Sequence, residues 1–199
     1  MLTDALPDQC IGILIGDVSG KGVSAALLMA RLTSDMRTFA VSERSPARVL
    51  QRANVALCSS SRDNMFATVL YAVLDVKRNV LSLCNAGHLP PLLRLAENGD
   101  VGVVDEATNL ALGVLPEATF DQHIVELLPG DSVVLCTDGV IEAKNAVSEE
   151  YGFARLKRIV ATAPPEGTLE AVLKDLQRHT GAASPQYDDI TIVEFSRVT

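Results

Sequence analysis

The sequence IGILIGDVSGKG at residues 11–22 decides the first part of the fold. Residues 11–18 form a short apolar run bounded by turn residues, which is typical of a buried strand. Between Ala25 and Ala40, apolar residues recur at steps of three and four and form the single apolar stripe of an amphipathic helix. Ser45 and Pro46 then combine a helix cap with a first-turn proline, and they predict the start of a second helix.

Further along the chain the apolar pattern changes from helical to strand-like. Residues 65–74 are almost wholly apolar and rich in β-formers, which predicts a central strand covered on both faces. Other strands are predicted at residues 80–84, 92–95, 101–104, 122–128, 132–136 and 190–195, helices at 153–162 and 169–180, and an irregular loop at 105–118. Clustered strands with segregated helices indicate an α+β fold with mostly antiparallel sheets.

Length and composition restrict the class of protein. The 199 residues suit a single domain, which we assign to residues 1–199, and a hydrophobic share of 48% allows a sizeable core. The formal net charge is −8, so we expect neither nucleic acid nor anionic lipid as a partner. The chain shows no signal-peptide pattern and no apolar run long enough to span a bilayer. We therefore expect a cytoplasmic protein without membrane insertion.

The cysteines and histidines argue against a zinc site. None of the cysteines forms a C-x-x-C pair, and three lie in apolar, strand-like runs, so we interpret them as buried free thiols in a reducing cytoplasm. The histidines lie far apart and lack ligand spacing. These residues are Cys10, Cys58, Cys84, Cys136, His88, His123 and His179.

Three aspartates stand where a predicted strand meets a loop. Asp17 and Asp138 end apolar runs, and Asp188 immediately precedes one. A charge in such a position is costly unless it is paired or bound to a cation, and converging carboxylates favour Mg²⁺ or Mn²⁺. The alternative is that aspartates at strand ends only form turns, which is our interpretation of Asp75 and Asp131. The sequence alone leaves both interpretations open.

The glycines that follow Asp17 raise two nucleotide-binding alternatives. A P-loop requires glycine five residues before its Gly-Lys pair and a hydroxyl residue after it, but Ile15 and Gly22 stand at those positions. Gly20, Gly22 and Ala25 do match the dinucleotide fingerprint, although the chain remains helical where that fold requires a second strand. A tight turn without function is a further alternative.

Five short motifs occur in a fixed order along the chain. They are GDVSGKG at 16–22, NAGHLPP at 85–91, GD at 130–131, TDGV at 137–140 and DDIT at 188–191. Each motif is weak alone, but their order and spacing closely resemble the PPM-type (protein phosphatase 2C-like) phosphatases, in the bacterial branch of SpoIIE and RsbU. The resemblance spans about residues 4–196.

This resemblance implies both a fold and a reaction. The fold would be an α-β-β-α sandwich of two mostly antiparallel sheets flanked by helices, within the α+β class. The reaction would be hydrolysis of phosphoserine or phosphothreonine on proteins, by metal-activated water at a centre of two Mn²⁺ or Mg²⁺ ions. Branch members commonly act on phosphorylated anti-sigma-factor antagonists, which suggests that substrate class and partner here.

The matched motifs also imply residue roles. Asp17 would bridge both metals, and the carbonyl group of Val18 would bind one of them. Asp138 and Asp188 would hold the other metal. Gly139 would let the backbone pass close to the site.

Three further residues would lie near the metal ligands in such a site, and two of them have an alternative interpretation. Asp189 stands where many relatives have Asn, and we place it beside the metal ligands rather than among them. Lys21 would lie near the phosphate, or it is only solvated at the start of a helix. His88 would lie near the catalytic cleft, or it bridges polar groups in the turn before Pro90, which is the interpretation we prefer.

The start of the chain departs from the family pattern. Family members carry Gly-Gly-Asp-x-x-Asp on an early strand; here Asp4 matches the last aspartate, Met1 stands at the first, and the preceding glycines and strand are absent. We therefore expect a fold that lacks the N-terminal strand. The chain is either cut from a longer sensor phosphatase or naturally altered at this site. An unpaired sheet edge would favour a homodimer.

Three functions remain. The first is a metal-dependent protein serine/threonine phosphatase, which the three aspartates favour. The second is a catalytically impaired phosphatase-fold domain that acts as a regulatory or binding module, which the incomplete start favours. An unrelated nucleotide-binding enzyme is the third.

Overall fold

The computed structural model, which describes residues 1–60, 65–181 and 188–198, contains two β-sheets, each with helices of its own. The sheets belong to two units of the chain. The first unit comprises residues 1–90 and 105–126, and the second comprises residues 91–104 and those from 127 onward. The predicted α+β class with two sheets and helices is confirmed.

The elements follow in chain order. The strands are β1 (Leu2–Leu6), β2 (Cys10–Val18), β3 (Ala67–Asp75), β4 (Val80–Ala86), β5 (Leu92–Arg94), β6 (Val101–Val103), β7 (Thr108–Asn109), β8 (His123–Glu126), β9 (Ser132–Cys136) and β10 (Ile192–Ser196). The helices are α1 (Val23–Ser42), α2 (Pro46–Ser60), α3 (Asp138–Ile141), α4 (Phe153–Thr162) and α5 (Thr168–Thr180). The long helices and most strands lie where the sequence predicts them.

The sheet of the first unit has the order β1-β2-β3-β4-β7, and β8 pairs with another part of β4. All its pairs are antiparallel except β4 with β7. Because both neighbours of β2 are antiparallel to it, β2 and α1 do not form the parallel strand–helix–strand unit that the dinucleotide fingerprint requires. This excludes the dinucleotide-binding alternative.

Helices α1 and α2 pack their apolar stripes against one face of this sheet. The cluster includes Leu32, Met36 and Ala40 of α1, Val49, Leu50, Ala53 and Leu57 of α2, and Val69, Tyr71 and Val73 of β3. The intervening β3 residues Leu70 and Ala72 are also buried, so both faces of β3 are covered, as predicted. In β8, the exposed Ile124 alternates with the buried Val125, as the period of two predicts.

The sheet of the second unit has the order β10-β9-β5-β6 and is antiparallel throughout. Its hairpin between β5 and β6 contains Asn98 and Gly99, and Gly99 has φ 75°, the left-handed conformation that an Asn-Gly turn requires. Helix α4 contacts β5 and β6, and helix α5 contacts β10. Their buried side chains are Leu156, Val160, Val172 and Leu176.

Strand β1 is an N-terminal strand at a place where the sequence led us to expect none, so that expectation is corrected. It pairs with β2 along its whole length, and Arg37 of α1 forms an ion pair with Asp4 of β1 at 3.1 Å. The strand was missed because backbone pairing, rather than a recognisable apolar pattern in its five residues, defines it. Among the described residues, no strand pairs with the other edge of β1.

None of the helices in the described parts of the chain combines the length and the apolarity needed to cross a bilayer.

The buried phenol of Tyr71 allows a test of the core of the first unit. Its hydroxyl has no hydrogen-bond partner among the described residues, and burial raises its pKa to about 12, with a further contribution from Asp4. The unfolded chain therefore releases this proton near pH 10, before the folded protein does. Stability is full below pH 10 and falls as the pH rises toward the folded-state pKa, by about 1.4 kcal/mol at pH 11 through this group.

Tyr71→Phe removes this ionisation. We expect the variant to lose about 1.4 kcal/mol less unfolding free energy than wild type between pH 8 and pH 11 in urea titrations. At pH 8 Tyr71 is protonated in both the folded and the unfolded wild type. The difference in unfolding free energy between the two proteins at that pH is therefore the reference for the comparison at pH 11. Identical pH profiles for the two proteins would contradict the assignment.

Candidate metal centre

Asp138 and Asp188 lie side by side in the second unit. Because β9 and β10 are antiparallel, the C-terminal end of β9 lies beside the N-terminal end of β10, where Cys136 faces Ile192. Asp138 follows β9 by two residues and opens α3, and Asp188 precedes β10. One carboxylate oxygen of Asp138 lies within 4.8 Å of one of Asp188. Asp138 is half-buried and Asp188 is exposed.

Gly139 makes this close approach sterically possible. A Cβ atom at this position would overlap the carbonyl oxygen of Asp189 and lie 3.0 Å from its carbonyl carbon. The backbone on the C-terminal side of Asp188 therefore occupies the space that any other side chain at position 139 would need.

The segment from Asp188 continues into a short extended stretch before β10. The Asp189 N–H donates a hydrogen bond to Oδ1 of Asp188 at 2.8 Å, and the side chain of Asp189 is exposed. The strand that the sequence predicts at residues 190–195 begins two residues later, at Ile192. Residues 188–191 lie outside the regular strand pairing.

Asp17 occupies the corresponding position in the first unit, one residue before the end of β2. Its side chain is exposed, and its Oδ1 accepts a hydrogen bond from the Val18 N–H at 2.9 Å. The preceding Gly16 lies close to β3, since a Cβ there would come within 2.5 Å of the Thr68 carbonyl oxygen. The strand thus reaches Asp17 in tight backbone contact with its neighbour.

The loop after Asp17 is tied to the start of β3 by Ser19. The Ser19 N–H donates to the carbonyl oxygen of Phe66, and the Phe66 N–H donates to the Ser19 hydroxyl oxygen, both at 2.9 Å. Gly20 and Gly22 then adopt φ values of 93° and 84°, which allow the sharp turn into α1. Lys21 lies between them with an exposed side chain.

His88 lies in the turn after β4, in the first unit. Its N–H donates to Oδ1 of Asn85 at 2.7 Å, and Nδ2 of Asn85 donates to the His88 carbonyl oxygen at 2.9 Å. Its Nδ1 lies 3.5 Å from the hydroxyl oxygen of Thr68. The backbone of the buried His88 is thus tied to Asn85 of its own turn, and its ring lies beside Thr68 of β3.

Two carboxylates as close together as those of Asp138 and Asp188 could jointly hold a hard cation. Burial raises the pKa of the adjacent Cys136 thiol to about 12, and the charge of Asp138 contributes to the rise. The thiol therefore stays protonated at neutral pH, and carboxylate oxygens are the available ligands. Mg²⁺ and Mn²⁺ are the ions that prefer such oxygen ligands.

Other aspartates and cysteines have the structural roles expected from the sequence. Asp131 is buried and accepts hydrogen bonds from the N–H groups of Ala96 and Leu128, so it fixes a turn. The four cysteines are free thiols, and all but the half-buried Cys58 are buried. Ser19 and Thr137, which lie within two residues of Asp17 and Asp138, were not predicted as site residues. Their place in the motifs at 16–22 and 137–140 is the signal that could have found them.

A chain of the α+β class with paired aspartates at strand ends is what the PPM-type resemblance implies. The family model described as "Stage II sporulation protein E (SpoIIE)" matches residues 7–198. The chain therefore belongs to the SpoIIE family, and the predicted recognition is confirmed.

Protein IcfG and RsbU are similar to this chain over nearly its whole length. Protein IcfG of Synechocystis sp. is 29% identical over 96% of this chain and 34% of its own length. The phosphoserine phosphatase RsbU of Bacillus subtilis is 27% identical over 95% of this chain and 56% of its own length. The chain thus spans about a third and about half of the lengths of these relatives.

A solved structure agrees with the fold. The SiaA-PP2C domain of Pseudomonas aeruginosa superimposes with a TM-score of 0.81, covering 98% of this chain and 78% of that one, at 24% identity. At this identity the similarity establishes the fold, and it confirms the predicted PP2C-like class.

Gly139→Ala tests the close packing beside Asp188. We expect it to reduce the free energy of unfolding by about 1–3 kcal/mol, because the new methyl group overlaps the Asp189 backbone. Gly102→Ala in β6 is the matched control, since its nearest atom is the Leu93 carbonyl oxygen at 3.9 Å and neither glycine has a positive φ. We expect this control to change stability by less than about 0.5 kcal/mol in urea titrations. Equal effects of the two substitutions would show that position 139 has room for a side chain.

Proposed function

We propose that this chain is a metal-dependent protein serine/threonine phosphatase whose metal ligands are Asp17, Asp138 and Asp188. The observation that carries the proposal is the pair of carboxylates from Asp138 and Asp188, within 4.8 Å of each other, in a member of the SpoIIE family. The relationship to RsbU, which is named a phosphoserine phosphatase, supports the activity and the phosphoserine specificity.

The proposal assigns both units to one catalytic domain. Asp17 and the carbonyl group of Val18 would serve the same centre as the second unit's aspartates, and the order of the motifs along the chain supports this assignment. Bound Mn²⁺ or Mg²⁺ would supply charge neutralisation for the phosphate and a lowered pKa for the attacking water. The reaction is hydrolysis: a water oxygen bonds to phosphorus, the phosphate ester bond breaks, and the serine or threonine oxygen leaves with a proton.

The chain's own residues would position the ligands and the substrate. Gly139 leaves the room that the Asp189 backbone needs to pass beside Asp138. Lys21, exposed in the loop after Asp17, would offer an ammonium group to the phosphate. His88 would support the site indirectly, through the turn that it forms with Asn85.

The substrate and partner of this enzyme belong to the same proposal. Relatives of the RsbU type suggest a phosphorylated anti-sigma-factor antagonist in the cytoplasm. The exposed edge of β1 would allow a homodimer through strand pairing. With a net charge of −8, the chain is unsuited to nucleic acid as a substrate.

One observation favours the second candidate, an impaired phosphatase fold used as a binding module. Asp4, the aspartate matched to the family's N-terminal motif, is engaged by Arg37 at 3.1 Å. An aspartate that neutralises a guanidinium is less available to a metal ion. A chain that binds metal but does not hydrolyse phosphate esters would support this candidate.

The proposal predicts turnover that depends on metal and on each of the three aspartates. We expect hydrolysis of an aryl phosphate and of a phosphoserine peptide with Mn²⁺ or Mg²⁺, and none with a chelator. Asp138→Ala and Asp17→Ala should each reduce kcat at least about 100-fold, because an incomplete ligand set no longer holds the metal. Steady-state kinetics with each metal provide the measurement.

Asp105→Ala, which removes an exposed carboxylate of the first unit, is the control and should retain wild-type turnover. Metal-free Asp138→Ala should be at least as stable as wild type, because it relieves repulsion from Asp188. Wild-type turnover in Asp138→Ala would refute the metal-site assignment.

A further inference from the structure

Thr137 joins the two strands that carry the Asp138–Asp188 pair. It lies between the last residue of β9 and the first residue of α3, and only 7% of it is exposed. The family motif places it next to a metal ligand, but its buried side chain faces the backbone on the C-terminal side of Asp188. Its role therefore depends on the contacts it makes there.

Thr137 makes three hydrogen bonds to residues 189–191. Its N–H donates to the Thr191 carbonyl oxygen at 3.0 Å. Its hydroxyl donates to the Asp189 carbonyl oxygen at 2.9 Å and accepts from the Thr191 N–H at 3.0 Å. One hydroxyl group thus satisfies both a carbonyl and an N–H of the same segment.

These bonds fix the backbone where regular strand pairing has not yet begun. β10 pairs with β9 only from Ile192 onward, and Asp188 lies four residues before that point. Backbone bonds to Asp189 and Thr191 therefore determine where the chain leaves the sheet edge and where the Asp188 carboxylate lies. Gly139 leaves the space that this path needs.

Two carboxylates at this spacing repel each other until a cation binds between them. A segment that is not held in place would let Asp188 move away and weaken the site. Partners that orient metal ligands typically contribute 10–100-fold to metal affinity or activity. Thr137 has the position and the bonds of such a partner.

We propose that Thr137 is a positioning residue of the metal centre, whose hydroxyl holds residues 189–191 so that Asp188 stays beside Asp138. This inference rests on the proposed metal-dependent function. Thr137 acts through the backbone and does not itself touch the metal or the substrate. The hydroxyl, and not the methyl group, is the active part, because only the hydroxyl can both donate and accept.

Thr137→Val and Thr137→Ser separate these two parts of the side chain. Val keeps the shape and loses the hydroxyl, whereas Ser keeps the hydroxyl and loses the methyl group. By titration calorimetry on metal-free protein, we expect Thr137→Val to bind Mn²⁺ about 10–100-fold more weakly than wild type. Thr137→Ser should stay within about threefold.

Two further readouts distinguish positioning from general stability. In metal-free Thr137→Val, the amide of Thr191 should exchange with solvent faster, while the amides of the distant helix α4 should keep wild-type exchange. The Mn²⁺ concentration for half-maximal turnover should rise in Thr137→Val, and kcat at saturating Mn²⁺ should return close to the wild-type value. Thr137→Ala replaces Thr137→Val under the same criteria if Thr137→Val does not fold.

The outcomes separate this inference from the proposed function. Wild-type Mn²⁺ affinity in Thr137→Val overturns the inference, and so does an equal loss in Thr137→Ser and Thr137→Val, which would assign the effect to the methyl group. If either result is found and the wild-type chain still hydrolyses phosphate esters with metal, the inference fails but the proposed function stands. A wild-type chain that neither binds Mn²⁺ nor shows metal-dependent turnover overturns both.

Discussion

The antiparallel pairing of β9 with β10 is the constraint on which the proposed centre depends. It sets the end of one strand against the start of the other and so brings two carboxylates within 4.8 Å. At that separation two unit charges repel by about 1 kcal/mol in bulk water and by several times that near a protein surface. All five residues of β9 are buried, so the strand itself is firmly anchored. The fold therefore holds a local concentration of negative charge that a divalent cation would neutralise.

The same structural solution occurs at both strand-end aspartates. In the first unit, Ser19, two residues after Asp17, exchanges two hydrogen bonds with Phe66. In the second unit, Thr137 holds residues 189–191 directly before Asp138. In each case a hydroxyl residue fixes backbone that lies outside a regular strand ladder. The glycines adjacent to the two aspartates, Gly16 and Gly139, allow the neighbouring backbone to approach.

The long elements could be predicted from the sequence because their side chains follow a clear period. The stripe of α1, the doubly buried β3 and the helix α4 all lie where the apolar pattern predicts them. Strand β1 and the short strand β7 could not be predicted, because they are defined by backbone pairing with β2 and β4 rather than by their own composition. Helix α3 is a single turn, and its four residues are too few to show a period.

The candidate site, like the fold, could be predicted from the sequence only in part. The aspartates could be found from their position at the ends of apolar runs, and the family motifs gave them roles. The proximity of Asp138 to Asp188 could not be predicted, because it depends on which strands are neighbours in the second sheet. The proposed role of the Thr137 hydroxyl could not be predicted either, since its hydrogen-bond partners lie more than fifty residues away along the chain.

The proposed phosphatase function requires that both Asp17 and Asp138 contribute to metal binding. Its most direct test is a double-mutant cycle of Mn²⁺ affinity, measured by titration calorimetry on wild type, Asp17→Asn, Asp138→Asn and the double variant. We predict that each single substitution weakens binding at least about tenfold, and that the double variant loses less than the product of the two single losses. Wild-type affinity in Asp17→Asn, or losses that multiply as for independent sites, would contradict the account.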